Sequence, residues 1–239
     1  MPLLKPREQL KIAILLSAHK RPEYTKKCIA SLEACIKPCD VFFYLVDDGS
    51  GDFTTCSLVE AKLHNAVFTY SEPNGLRNRC IEFFEYVKQR DFDFIGKIDN
   101  DCVVPENWIT RLLDVFEKSD VGILSPNVTP SNAAYQYGKE DKEGNGYLPA
   151  EIVGGLWFMR SELINDMQFE KHDTNGLTGA TTLLRQIVTE KEPKIGWVPD
   201  VIVQDIGHWS GKHPEHIKTV EHEVYSKTVG RPIAWKAQS

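Results

Sequence analysis

The feature that most constrains this chain is a regular alternation in its first hundred residues. Short apolar runs of strand length are each closed by polar residues and followed by a helix-like stretch. Ile12 to Ser17, Val41 to Val46, Ala66 to Tyr70 and Phe92 to Ile98 are rich in β-branched, leucine and aromatic residues. The stretch after Pro22 carries Cys28, Leu32 and Cys35 at helical spacing. Residues 53 to 63 suit a second helix, and Asn74 can cap a longer one carrying Leu76, Cys80, Phe83, Phe84 and Val87. Continuous apolar runs belong to strands buried on both faces, and helical crossovers make neighbouring strands parallel. The sequence therefore predicts an α/β fold, with a Rossmann-like, mostly parallel central sheet flanked by helices.

The second half is less regular. A helix with Trp108, Leu112 and Val115 is expected after Pro105, then a strand from Val121 to Ser125. Residues 127 to 146 are rich in Asn, Gly, Ser, Pro and charge and read as a long loop, the one candidate seam. Ile152 to Met159 returns to strand, residues 179 to 189 suit a helix, and Ile195 to Val203 is a strand interrupted by Pro199. Residues 214 to 229, with Ile217, Val220 and Val224, form an amphipathic helical pattern. A length of 239 residues fits one domain on the scale of roughly 100 to 200 residues per domain.

Composition narrows the function classes. With 41% hydrophobic residues the chain is a globular protein, not a disordered one, and its net charge of −6 argues against a nucleic-acid binder, which needs a basic surface to displace counterions. No apolar run approaches the roughly 20 residues that span a bilayer, and the start MPLLKPREQLK has no secretory apolar core. The expected location is the cytoplasm, free or peripheral to a membrane. The six cysteines show no CxxC pair or zinc spacing, so they read as reduced thiols packed as small apolar residues.

In a parallel sheet, ligands sit beyond the carboxyl ends of the strands. Here those positions hold Ser17-Ala18-His19, Asp47-Asp48-Gly49-Ser50 and Asp99-Asn100-Asp101. Two carboxylates one residue apart can offer oxygens to a hard divalent cation such as Mg²⁺ or Mn²⁺ bound with a diphosphate, although Asp and Asn are also common in solvated turns. Asp47 and Asp48 could accept from a nucleobase N–H or from ribose hydroxyls, with Gly49 allowing close backbone approach. Arg77 and Arg79 stand at a helix start, where guanidinium groups and backbone N–H groups suit a diphosphate; surface salt bridges are the alternative.

Taken in order, SAHKRPEY, LVDDGSGD, NGLRN and FIGKIDNDCVVPENWI resemble the nucleotide-sugar-binding half of family 2-type glycosyltransferases with the GT-A fold. The resemblance covers residues 10 to 125 and continues more faintly to about residue 210. It implies a single GT-A-type domain over residues 1–239: a nucleotide-sugar-binding half at about 10–125, an acceptor half at about 126–212, and a C-terminal helix and tail at about 213–239. It implies that Asp48, with Asp47, contacts the nucleobase, that Ser17 and Arg21 lie beside the base, and that Asp99 lies near the ribose or sugar. Asp101 would then hold the Mn²⁺ or Mg²⁺ that bridges the diphosphate, with Arg77 and Arg79 adding positive charge.

In the second half, Val153-Gly154-Gly155-Leu156-Trp157-Phe158-Met159-Arg160 resembles the acceptor-side strand of that family. Gly155 would leave space beside the donor sugar, and Trp157 would either stack on an acceptor ring or belong to the core. One departure is plain. Where inverting members carry an acidic pair before a helix, this chain has Leu177-Thr178-Gly179-Ala180-Thr181-Thr182-Leu183-Leu184-Arg185, with no carboxylate. Asp173, in the loop leading into that helix, is the substitute candidate for general base. His208 stands where the family's metal-binding histidine follows the last core strand.

The function implied is metal-dependent transfer of a sugar from a nucleoside diphosphate donor, UDP-linked in the leading reading, to a hydroxyl of a glycan, lipid-linked or small acceptor. The missing acidic pair leaves both inverting and retaining transfer open, and leaves room for a catalytically inactive nucleotide-sugar- or carbohydrate-binding module. A sugar-phosphate nucleotidyltransferase would need a glycine-rich loop after the first strand, and SAHKRPEY has no glycine.

Overall fold

The protein is described from a computed structural model covering residues 5–35, 39–51, 54–129, 140–141, 143–150, 156–170 and 179–207. The expected alternation is present in its first half. β1 (Lys11–Ala18), β2 (Asp40–Asp48), β3 (Asn65–Tyr70) and β4 (Phe94–Asp99) are linked by α1 (Pro22–Glu33), α2 (Thr54–Val59) and α3 (Gly75–Lys88). β5 (Cys102–Val103), α4 (Trp108–Lys118) and β6 (Ile123–Thr129) follow; then come β7 (Leu148–Pro149), β8 (Trp157–Arg160), α5 (Gly179–Lys191) and β9 (Ile195–Asp205). Among the described residues, the nine strands join one sheet in the order β3-β2-β1-β4-β8-β6-β9-β5, with β7 beside β9.

The side chains of β1 show why this is a three-layer structure. Successive strand residues point to opposite faces, so Ile12, Ile14 and Leu16 enter one core and Ala13 and Leu15 the other. The first core is closed by Cys28, Ile29 and Leu32 of α1 and by Trp108, Leu112 and Phe116 of α4. The second is closed by Cys80, Phe83 and Phe84 of α3 and by Leu183, Leu184 and Ile187 of α5. A fully buried aliphatic or aromatic side chain contributes roughly 1.5–3 kcal/mol, so these two-sided strands anchor the domain. All six cysteines are free, and Cys28, Cys35, Cys80 and Cys102 are buried, as expected for thiols used as apolar packing.

The long pairings, β1–β2, β1–β4, β2–β3 and β6–β9, are parallel. The antiparallel ones are short: β8 inserts between β4 and β6, and β5 and β7 flank β9. Two details differ from the sequence reading. The strand expected at 121–125 continues to Thr129, so the start of the supposed loop seam is sheet. Pro199 does not end β9 but coincides with a jump in register. Pro126 pairs with Val198 while Asn127 pairs with Ile202, because two prolines without N–H groups cannot sustain the ladder there. The amphipathic segment 214–229 lies outside the described residues.

This topology gathers one edge. β1, β2 and β4 run in the same direction, and Ser17 is level with Val46 on one side and Asp99 on the other. Two antiparallel steps through β8 return β6 and β9 to that direction. The carboxyl end of β9, Asp205, therefore lies on the same edge as Asp48 and Asp99, paired through Cys102. Among the described residues, no helix is long and apolar enough to cross a membrane.

Candidate active site

The loop after β2 is held by its own acidic residues. The Asp47 carboxylate accepts from the Ser50 N–H at 3.0 Å and from the Ser50 and Thr55 hydroxyls, which closes the turn. The Asp48 carboxylate accepts from the backbone N–H groups of Asn74 and Gly75, at 2.9 and 3.0 Å, and so caps the start of α3. It also accepts from Arg79 Nε at 2.7 Å. Both aspartates are buried. A carboxylate has about four acceptor positions, so Asp48 meets a ligand only with the capacity that these three donors leave.

Gly49 shows how tightly the loop is seated. Its φ is +68°, and a Cβ there would lie 2.5 Å from the Pro73 nitrogen. Gly51 has a similar φ of +64° but open space around it. Both substitutions to alanine carry the left-handed penalty of about 1 kcal/mol, and only Gly49→Ala adds a backbone clash. Chemical denaturation is expected to show Gly51→Ala costing about 1 kcal/mol and Gly49→Ala at least twice that. Equal losses would contradict this seating of the loop.

The two arginines of α3 correct a sequence expectation. Arg79 is 1% exposed. It pairs with Asp48 and, through Nη1, with Glu82 at 2.9 Å, and its guanidinium lies 3.3 Å from the centre of the Tyr70 ring. Burial works against its charge, but the hydrogen bonds to Glu82 and Asp48 prevail and raise its pKa. Arg77 donates to Thr182 Oγ1 at 2.9 Å and to the Glu170 carbonyl at 3.0 Å, binding α3 to α5. Residues two apart on a helix point in different directions; here Arg79 is engaged by Asp48 and Glu82, while Arg77 ties α3 to α5 through its two terminal nitrogens. The extra charge that the resemblance assigned to them beside a diphosphate is not supplied by this arrangement.

At the end of β4 the charges are arranged differently. Lys97 is buried and its ammonium pairs with Asp99. Burial works against the Lys97 charge, but Asp99 more than offsets that and raises its pKa. Asp101 is held by Arg21, whose Nη1 lies 2.9 Å from Oδ2. The Asp101 carboxyl is pushed up to about 7, first by burial, then by the negative charges of Asp99 and Asp205, with Arg21 acting in the opposite direction.

Asp205 and Gly207 were not singled out in the sequence, although Asp205 obeys the strand-end rule that singled out Asp48 and Asp99. Ile206 N–H donates to the Asp101 carbonyl at 2.9 Å. A Cβ on Gly207 would run into the Asp101 carboxylate, so glycine alone lets the backbone lie against it.

The loop after β1 bridges the two acidic loops. His19 Nδ1 is 2.7 Å from the Asp48 carbonyl, and the Lys20 N–H donates to Ser50 Oγ at 2.8 Å. Asn100 Nδ2 donates to Thr25 Oγ1 at 2.9 Å and to the Lys20 carbonyl. Ser17 is beside Asp99 in register. The structure thus brings Ser17, Arg21, Asp48, Asp99 and Asp101 to one edge. Trp157 takes the core alternative: it is 1% exposed and packs 5.9 Å from Phe84. Gly155, Asp173 and His208 lie outside the described residues.

The sequence profile of glycosyl transferase family 2 matches residues 13–191. The chain belongs to that family. No curated protein sequence matches it. Solved structures of family-2-like fold do. A mannosyltransferase from Pyrobaculum calidifontis, PcManGT, in complex with GDP-Man and Mn²⁺ superposes with a TM-score of 0.66 at 15% identity, over 97% of this chain and 69% of that one. Residues 1–349 of TarS from S. aureus, in complex with UDP-GlcNAc, superpose with a TM-score of 0.59 at 16% identity, over 82% of this chain. This chain spans 58% of that TarS fragment. At such identities the likeness shows the fold, which is GT-A.

Among the described residues no group of three or more His, Cys, Asp or Glu is arranged to hold a metal ion. The chemistry at Asp101 nevertheless suits one. It is a half-buried hard-oxygen donor whose charge is raised in energy by two neighbouring carboxylates, which is what a cation relieves.

Proposed function

We propose that this family 2 chain transfers a sugar from a nucleoside diphosphate sugar, UDP-linked in the leading reading, to a hydroxyl of a glycan, lipid-linked or small acceptor. The observation that carries the proposal is the convergence of the DDGS and DND loops, through the loop after β1, on one edge of a GT-A sheet. Support comes also from the fold neighbours in complex with UDP-GlcNAc and with GDP-Man and Mn²⁺.

In this reading Asp48, oriented by Arg79 and by the start of α3, offers its remaining acceptor capacity to the nucleobase. Ser17 lines the same edge. Asp99, paired with Lys97, faces the ribose or sugar. Asp101 holds Mn²⁺ or Mg²⁺, with His208 as the proposed further ligand. When bound, the cation stabilises the negative charge that collects on the departing diphosphate. Gly155 gives space on the acceptor side, and Asp173 is the proposed base that takes the acceptor hydroxyl proton. Free thiols throughout suit a reducing compartment such as the cytoplasm.

The test is incubation of the full chain with a panel of UDP-, GDP- and other nucleotide sugars and Mn²⁺, following slow release of nucleoside diphosphate. Release with one donor, abolished by chelation, is the expected result. Tight donor binding with no release from any donor, with or without acceptor candidates, would replace the transferase reading by that of a nucleotide-sugar-binding module.

A further inference from the structure

Arg21 is placed with unusual care. Lys20 and Arg21 are consecutive non-glycine residues in the left-handed region, with φ of 59° and 64°. Such backbone costs of order 1 kcal/mol or more per residue and persists only where surrounding contacts over-determine it. Here they do. Lys20 is clamped by Ser50 on its N–H and approached by Asn100 on its carbonyl, and the Arg21 carbonyl accepts from the N–H groups of Tyr24 and Thr25 at 3.1 Å. Arg21 begins α1 immediately before Pro22. The result of this strained clamp is that a guanidinium from one loop reaches the carboxylate of Asp101, eighty positions along the chain.

That contact conflicts with the proposed role of Asp101. Arg21 Nη1 occupies Oδ2, an oxygen that a divalent cation would take, and two cations cannot share it closely without strong repulsion. A metal that takes Oδ2 therefore displaces the guanidinium. Because the Arg21 backbone is clamped on both sides, any movement falls to its side chain, and a diphosphate arriving with the metal provides the anion that a guanidinium binds best.

We propose that Arg21 is the counter-charge of the acidic edge, and that it exchanges Asp101 for the diphosphate when metal and nucleotide bind together. The inference rests on the donor and metal reading above. Its consequence is coupling: Arg21 competes with the metal alone and rewards the metal–diphosphate pair, so each ligand raises the affinity for the other.

The experiment is titration calorimetry on the full chain, first with Mn²⁺ alone and then with UDP or GDP at saturating Mn²⁺. Arg21→Ala is expected to bind Mn²⁺ alone roughly tenfold tighter than wild type and the nucleoside diphosphate roughly tenfold weaker, a coupling of ordinary size. Arg21→Lys keeps the charge and is expected to return the Mn²⁺ affinity close to the wild-type value. A merely structural Arg21 would weaken both bindings together. Unchanged or weaker Mn²⁺ binding in Arg21→Ala overturns the exchange, as does an alanine variant indistinguishable from the lysine one. If wild type binds a diphosphate with Mn²⁺ but Arg21→Ala shows no opposite shift, this inference alone falls. If wild type binds neither Mn²⁺ nor either diphosphate, the metal reading of Asp101 falls and takes the exchange with it.

Discussion

Arg79→Met is expected to lower the thermal unfolding midpoint by about 6–12 °C, the equivalent of roughly 3 kcal/mol in a chain of this size. The magnitude follows from burial. The Arg79 and Asp48 side chains are 2% and 6% exposed, so removing the guanidinium leaves a carboxylate in a nearly dry site. Asp48 keeps two backbone N–H donors at the start of α3, which holds the cost at the lower end of what breaking a buried ion pair usually takes. The Arg79 guanidinium also stacks on Tyr70, a contact that methionine loses while it keeps the volume of the stem. A cycle with Asp48→Asn separates the pair from its surroundings. The double variant is expected to lose at least about 1 kcal/mol less than the sum of the singles, since the second change no longer strands a charge. Additive losses, or a shift in midpoint below about 2 °C, would mean that Arg79 is a solvent-facing arginine after all.

That prediction reverses what the sequence suggested for Arg79, and the reason is physical. The alternation of apolar runs was legible because two-sided burial leaves strands with no polar positions to spare, as in Ile12 to Leu16. The same logic located three acidic or polar loops at strand ends, and they do share one edge. β5 and β7 escaped notice because two residues carry no period. The antiparallel β8 could not be told from a parallel strand, since orientation depends on its neighbours β4 and β6 rather than on its own composition. Charged partners were the least legible of all. Arg21 and Asp101, or Arg77 and Thr182, are brought together by topology, and nothing local in NGLRN distinguishes a guanidinium that meets a ligand from one that ties two helices together. Lys97 carried a signal that could have been used: a lysine inside a buried strand requires a dedicated anion, and Asp99 two residues on is on the same face.

Asp101→Asn is expected to change binding and stability in opposite directions. Under the proposed function it removes the hard-oxygen donor, and metal-dependent diphosphate binding is expected to fall by at least about a hundredfold. In the metal-free protein the same substitution is expected to stabilise the fold at neutral and alkaline pH. The Asp101 carboxyl titrates near 7 in the folded chain, against about 3.8 for the unreacted group, because burial and the charges of Asp99 and Asp205 penalise its ionised form. A raised folded pKa means that the native state holds the proton more tightly than the unfolded chain does. The resulting stability is fully present below about pH 4 and is lost as pH rises through about 7. Metal-free wild type is therefore expected to lose unfolding free energy across that window, while Asp101→Asn, with no proton to release, follows a flatter profile and melts a few degrees higher at pH 8. Saturating Mn²⁺ should restore wild type at pH 8 and leave the variant where it was, since only a cation bound to the native carboxylate cluster shifts the equilibrium. Melting curves over pH 4 to 8, with Mn²⁺ and with chelator, read every arm. A variant less stable than metal-free wild type at pH 8 would show that the Arg21 ion pair outweighs the crowding of the three carboxylates, and that the acidic edge needs no cation to be at rest.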